Sequence, residues 1–378
     1  MELNGSGGPT LVDSDIWKHI LCSKAYGKTP DQLAESMACF AKRLCCEEIN
    51  PDTLREYTAC RLIPLDKGVD KAGNPGVRPI GIGEIFRRII GKAVIKLLRS
   101  DIIEAAGPLQ TCAGLKSGIE ASIHSAKRLW ADESTEAIIQ VDADNAFNRL
   151  NRKVALHNIK QICPTLYRYL NNHYQEAAKL VINDTKEQDY LFSEEGCTQG
   201  DVAAMALNAL GIKPLVDTLS DSVDRTTCKQ SWYADDSSAG GKLEQIKKWW
   251  DKLCEMGPMY GYFPKASKTI LILKDAALLP HAKMLFAKTG MKIITDGQRH
   301  LGAVIGSDQY KKYYVTEKVE KWIQDIKELS TVAVEEPQVA LSAYTKGICH
   351  RWTFIQRTIP EISELFSPLE ESTVSGKI

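Results

Sequence analysis

No stretch of the chain approaches the roughly 18 consecutive apolar residues that a membrane-spanning helix needs, so no membrane partner is expected. The start, "MELNGSGGPT", lacks a basic opening followed by an apolar run, so no secretory leader is expected either. No CxxC pair occurs among the eleven scattered cysteines. That argues against a disulfide framework or a zinc site and for reduced thiols in an intracellular protein, cytoplasmic or nuclear. Net charge is absent too: 48 basic side chains face 48 acidic ones, so the bulk charge does not point to nucleic acid. Locally the balance differs. Residues 61–100 hold nine Lys or Arg against three Asp or Glu, which fits either a solvated helix face or a positive groove.

What is present is an ordinary globular composition, 44% apolar and 25% charged, over a length sufficient for one large core or two to three subdomains. Residues 31–48 and 51–60 read as short amphipathic helices. "RLIPL" (61–65) reads as a strand, followed by a turn-rich loop, "DKGVDKAGNPGV". Residues 78–100 begin extended and become a helix with Ile85, Ile89, Ala93 and Leu97 along one side. Further helices are expected at 117–130, from about 152, and over 165–177, 202–219, 242–256 and 315–361. Strands are expected at Ala137–Val141, "AAKLVIN", "CKQSWY" and "TILILK", with two short ones within "MKIITDGQRHLGAVIG". The mixture predicts an α+β or α/β sheet domain with helical additions.

Two acidic positions stand out. Asp142 ends an apolar strand, and Asp235 sits at the expected tip of another, beside Asp236 in "SWYADDSS". Adjacent carboxylates in a turn are ordinarily solvated. Were the two strand ends to meet, the carboxylates would resist ionising together unless cations joined them. Mg²⁺ takes oxygen ligands and leaves positions for phosphate oxygens. Two such ions about 4 Å apart are machinery for phosphoryl or nucleotidyl transfer.

Four blocks in order, "RPIGIGEIFRRIIGK", "IIQVDADNAF", "EEGCTQGD" and "SWYADDSS", resemble the signature blocks of reverse transcriptases, with "GYFPKASKT" and "HLGAVIG" following in their places. The flavour resembles retroelements of the non-long-terminal-repeat type, and the resemblance runs from about residue 61 to 306. It implies a right-hand α+β polymerase fold with a ferredoxin-like palm sheet, fingers and helical thumb. The implied division is an N-terminal helical extension (1–60), fingers (61–136), a palm with an inserted fingers segment (137–306), a thumb-like region (307–365) and a flexible tail (366–378). The implied activity is RNA-directed DNA synthesis with two Mg²⁺ ions, Mn²⁺ being a substitute. Its partners would be an RNA template, a DNA or RNA primer and dNTPs.

The resemblance also implies roles. Asp142 and Asp235 would bind metal with the backbone carbonyl of Ala143, and Asp236 would support them or touch metal. Phe147 would pack beneath the sugar and leave no room for a 2′-hydroxyl. Arg78 would hold the triphosphate through its guanidinium fork, assisted by Lys67. Gln199 would position template, Gly200 would permit close backbone approach, and Lys268 would protonate or neutralise the departing pyrophosphate. Arg87, Arg88 and Lys92 would line template or primer backbone, and Leu301 and Gly302 would turn the primer grip. Asp201 would cap the helix after it.

Two blocks depart from the family pattern. Val202, Ala203 and Ala204 follow Gln-Gly-Asp where proline is usual, and Asn148 stands where an aspartate is common. These put template handling in doubt, not the metal ligands. They keep open an inactive polymerase-like nucleic-acid-binding protein. Phe147 argues against a third reading, an RNA-synthesising polymerase. No endonuclease, ribonuclease H, integrase or zinc-knuckle pattern appears, so any endonuclease would be a separate or fused module.

Overall fold

The computed structural model describes residues 5–69, 75–182 and 189–375. Among them eleven strands form three sheets. The strands are β1 (Cys60–Val69), β2 (Pro75–Gly83), β3 (Ala137–Val141), β4 (Ala178–Val181), β5 (Tyr190–Ser193), β6 (Cys228–Tyr233), β7 (Asp236–Gly241), β8 (Ile270–Leu273), β9 (Lys292–Ile294), β10 (Gly297–His300) and β11 (Ala303–Gly306). A five-stranded sheet runs β6-β7-β3-β8-β9, a four-stranded one β2-β1-β4-β5, and β10 pairs only with β11. Both larger sheets are mixed: β8 with β9 and β1 with β4 are parallel, and their other pairs are antiparallel. The architecture is α+β with many helices.

The five-stranded sheet is covered on both faces, which explains its apolar strands. Ala137, Ile139 and Val141 of β3 join the main core with helices 152–162, 204–211, 213–221 and 243–256. The alternate residue Ile138 packs on the opposite face with Ile272 and Ala126, the last from helix Gly118–Ala131. A separate core joins β11 to the long helix Asp308–Glu335 and the C-terminal helices.

Several expectations shift. The segment 202–219 is two helices, Ala204–Gly211 and Lys213–Asp221, because Pro214 has no N–H to continue the first. The segment 291–306 gives three strands, β9 to β11. β1 and β2 run into the expected loop, pairing as far as Val69 with Pro75, and residues 70–74 of that loop lie outside the described residues. The helix Ile85–Leu97 buries Ile85, Arg87, Ile90, Gly91 and Val94, so its inward stripe is rotated from the expected one and Leu97 is exposed. Residues 1–4 and 376–378 lie outside the described set, but 366–375 is no loose tail. Ser367–Ser375 is helical, because Phe366 and Leu369 bury in the second core.

Candidate active site

The tip of the β6–β7 hairpin answers why two aspartates adjoin. Tyr233 pairs with Asp236, leaving Ala234 and Asp235 as a two-residue turn. Trp232 before it is fully buried, and its indole N–H and that of Trp249 both donate to the Gln230 side-chain oxygen, at 3.0 and 2.8 Å. The small residues Ser237 to Gly241 form β7, which lies between β6 and β3. Val141 is opposite Ser237, so Asp142, one residue further, leaves its strand beside the turn that carries Asp235.

A cleft of about 530 Å³ opens there. Asp142, Ala143, Phe147, Asp235 and Lys268 contribute to its lining from the five-stranded sheet and its loops. Lys67 and Arg78 reach it from the β1–β2 hairpin, and Gln199 and Gly200 from the loop before helix 204–211. Residues from five separated blocks of sequence thus line one cleft. The Lys268 ammonium stands 3.8 Å from the Asp142 carboxylate. Gln199 donates to the Asn148 side-chain oxygen at 2.7 Å, a bond an aspartate at 148 would also accept. That gives the departure at 148 a local role.

The electrostatics favour added positive charge. Burial pushes the Asp235 carboxyl up, and Asp142 adds to the rise while Arg78 opposes it. Asp236 is pushed up to about 6, first by desolvation and then by Asp235 and Asp142, although its side chain still reaches solvent at the rim. Three acidic groups feel one another here.

Ala143 forms an isolated antiparallel bridge with Pro264. The bonds fall on its neighbours: Lys265 N–H donates to the Asp142 carbonyl at 2.8 Å, and Asp144 N–H to the Phe263 carbonyl at 2.9 Å. The Ala143 carbonyl therefore points away from that segment. Asn145 then turns the chain at φ +48°, a region Asn tolerates.

The oxygen-rich donor set suits a hard cation: Asp142 and Asp235 line the cleft, with Ala143 between the sheet end and the turn, and Asp236 lies beside it. Among the described residues no three His, Cys, Asp or Glu side chains gather tightly enough to hold an ion unaided. Mg²⁺ does not require that, since it binds through one or two carboxylates and completes its shell with water and phosphate oxygens.

Asp236, Arg87, Arg88, Lys92, Leu301 and Gly302 lie outside this lining. Asp236 opens β7 beside it. Arg87 is buried, ion-paired with Asp201, and donates to the Thr58 carbonyl at 2.7 Å, so it turns inward and not toward a nucleic-acid backbone. Burial is the largest influence and disfavours its charge; Asp201 first, then Cys60, Tyr174 and Tyr169, together outweigh it and keep the guanidinium ionised. Asp201 also accepts from Ala203 N–H at 2.7 Å, in the turn just ahead of the helix it was expected to cap. Arg88 donates to the Ser6 carbonyl at 2.9 Å, and Lys92 is half-buried on the same helix. Leu301 and Gly302, at φ +48° and +91°, make the two-residue turn of the β10–β11 hairpin, packed against the second core.

Sequence reasoning missed Asp144, Asn145, Asp201 and Met205 in the lining. Asp144, bound by Arg149 at 2.9 Å, could have been found from its place two residues after Asp142. Gln110 and Tyr262, which hold the Asp235 turn, carry no such signal.

No family model matches the chain, and no curated protein matches it. Solved structures do. A telomerase from Candida tropicalis in complex with a TWJ fragment of telomeric RNA is 12% identical, with a TM-score of 0.50 over 93% of this chain and 61% of that one. A telomerase from Candida albicans in complex with the same kind of RNA fragment is 10% identical, with a TM-score of 0.46 over 96% and 65%. The apo Candida tropicalis telomerase truncated from its C-terminal domain is 13% identical, with a TM-score of 0.47 over 66% and 54%. The chain thus spans between about half and two thirds of these proteins. The likeness is one of fold alone.

Proposed function

We propose that this chain is an RNA-directed DNA polymerase of a retroelement, transferring a nucleotidyl group from a dNTP to a primer 3′-hydroxyl with release of pyrophosphate. One observation carries the reading: Asp142 and Asp235, 93 positions apart, line one cleft with Arg78, Phe147, Gln199 and Lys268. In this reading the five-stranded sheet is the palm, the β1–β2 hairpin belongs to the fingers, and the helices after residue 307 are the thumb.

Asp142, Asp235 and the Ala143 carbonyl would hold Mg²⁺, with Asp236 in support. When bound, the metal supplies positive charge for phosphate oxygens and lowers the pKa of a bound hydroxyl. The chain's own residues do the rest by position and charge. Arg78 and Lys67, on the opposite wall, bind the triphosphate; the guanidinium offers a planar fork to phosphate oxygens. Lys268, already within reach of Asp142, neutralises the departing pyrophosphate or donates its proton to it. Phe147 closes the floor under the sugar, so a 2′-hydroxyl meets a ring edge. Gln199, fixed by Asn148, sets the height of the template base. The RNA template and the primer would lie in this cleft.

Primer extension on an RNA template with Mg²⁺ and dNTPs tests the reading. The unchanged protein should extend the primer, and Asp235→Asn should abolish extension while leaving the fold intact by circular dichroism. Failure of the unchanged protein on every primed template, RNA or DNA, would leave the inactive nucleic-acid-binding reading in its place.

A further inference from the structure

The turn that presents Asp235 is strained, and the strain is held from outside. Ala234 has φ +57°, a left-handed conformation that a residue with a Cβ adopts at some cost. The hairpin's own ladder ends at Tyr233 and Asp236 and does not pair it. Its two backbone groups are instead taken by one side chain. Ala234 N–H donates to the Gln110 side-chain oxygen at 2.9 Å, and the Gln110 side-chain nitrogen donates to the Ala234 carbonyl at 3.2 Å.

A primary amide accepts and donates side by side in this way without carrying charge. Here it replaces a strand neighbour. Gln110 is itself placed by backbone. Trp232 N–H donates to the Leu109 carbonyl at 2.8 Å and Thr111 N–H to the Trp232 carbonyl at 2.9 Å, so residues 109–111 add a short parallel bridge to the open edge of β6. Gln110 is only 3% exposed. On the far side of Asp235, the Tyr262 hydroxyl donates to the Asp235 carbonyl at 2.8 Å and sits 2.9 Å from the Ser237 hydroxyl. The backbone is therefore pinned before and after the Asp235 Cα, and the carboxylate is left to the cleft.

We infer that Gln110 is a positioning residue for Asp235: its amide holds Ala234 in the left-handed turn that aims the carboxylate at the metal position. The inference rests on the polymerase reading for its catalytic consequence, but the aiming of Asp235 is measurable without catalysis. Outer partners that orient metal ligands typically contribute about 10–100-fold in metal affinity or activity.

The test uses the full chain and Mn²⁺ alone as probe, with binding followed by electron paramagnetic resonance. Gln110→Met keeps length and loses both bonds; Gln110→Glu keeps the acceptor for Ala234 N–H and loses the donor when ionised. Folding is checked by thermal melting. In a folded Gln110→Met protein, Mn²⁺ binding should weaken by about 10-fold or more. In extension assays kcat should fall with little change in KM for dNTP, and the half-saturating Mg²⁺ concentration should rise. Gln110→Glu should lie between the two, and it serves alone if the methionine variant does not fold. Folded variants that bind Mn²⁺ as the unchanged protein does would overturn the inference. Weakened Mn²⁺ binding in the variants, in a protein that extends no primer, would sustain the positioning role while removing the polymerase reading.

Discussion

Arg87 and Asp201 form a buried ion pair that ties the helix after β2 to the loop bearing Gln199 and Gly200. Both side chains are less than a tenth exposed, at 5% and 7%. Asp201 is held below the usual carboxylate range: burial pushes it up, but Arg87, with His173 and the hydrogen bonds from Ala203 N–H and Tyr174, together pull it down further. A second tie runs alongside, from Gly81 N–H to the Gln199 carbonyl at 2.8 Å. Arg78, three residues before Gly81 on β2, is thereby set against Gln199 across the cleft. The pair's place in the molecule is to hold two walls of one site in register.

Removing one member should therefore be worse than removing both. Arg87→Met leaves the Asp201 carboxylate buried without its partner, and the expected loss is about 3–5 kcal/mol in urea unfolding. The double change Arg87→Met with Asp201→Leu removes both charges and should recover much of that loss. If the two single changes simply added in the double variant, the pair would have no coupling and the tie described above would be wrong.

Gly200 is the close approach in the same loop. Its φ is +103°, and a Cβ there would lie 2.8 Å from the Gly81 carbonyl oxygen, a backbone atom that cannot swing aside. Gly200→Ala should lower stability by roughly 1–3 kcal/mol and shift Gln199 away from β2. The expected readout is a raised KM for dNTP together with a lower melting temperature. A variant indistinguishable from the unchanged protein in both would show that the loop and β2 are not in contact in solution.

How far the sequence carried this site depends on whether a residue's role is local. Asp142 and Asp235 were legible because each closes an apolar strand, and strand ends are readable from alternation and the polar turn that follows. Gln110 was not. Its partner lies 124 residues away, and "PLQT" has no pattern that marks an amide aimed at a turn. Arg87 and Arg88 show the same limit within two letters. Both fit a basic helix face in sequence, yet Asp201 draws the first into the core while the second stays outside on the Ser6 carbonyl. The break at Pro214 was readable in principle, and the apolar run on either side of it masked it.

Phe147 should decide the sugar. Its ring is half-buried against the main core and lines the cleft two residues beyond the Asn145 turn, with its carbonyl held by Cys197 N–H at 2.6 Å. That fixed backbone leaves the ring little freedom to retreat. Phe147→Val removes ring volume without disturbing the held carbonyl. Ribonucleotide incorporation relative to deoxynucleotide should rise by roughly 10-fold or more in single-nucleotide extension. An unchanged ratio would place the sugar elsewhere in the cleft.

Acid should unfold this protein through two buried imidazoles. His173 donates from Nδ1 to the Tyr169 carbonyl at 2.7 Å, its Nε2 has no partner among the described residues, and its ring packs against Tyr57 and Tyr169. Burial, aided by the nearby Arg87 charge, holds its pKa down to about 4. His300, at the end of β10, is held down to about 4 by burial alone. Both rings are neutral in the fold and titrate near 6.5 when unfolded. The stability they contribute is therefore complete above about pH 6.5 and is lost as pH falls toward about 4, by on the order of 3 kcal/mol for each ring. His300→Leu removes one of the two without leaving a polar atom unpaired. Its unfolding free energy should fall less between pH 7 and pH 4 than that of the unchanged protein, by about 3 kcal/mol. Equal pH dependence in the two proteins would mean that His300 is open to water in the folded state, contrary to its burial at the end of β10.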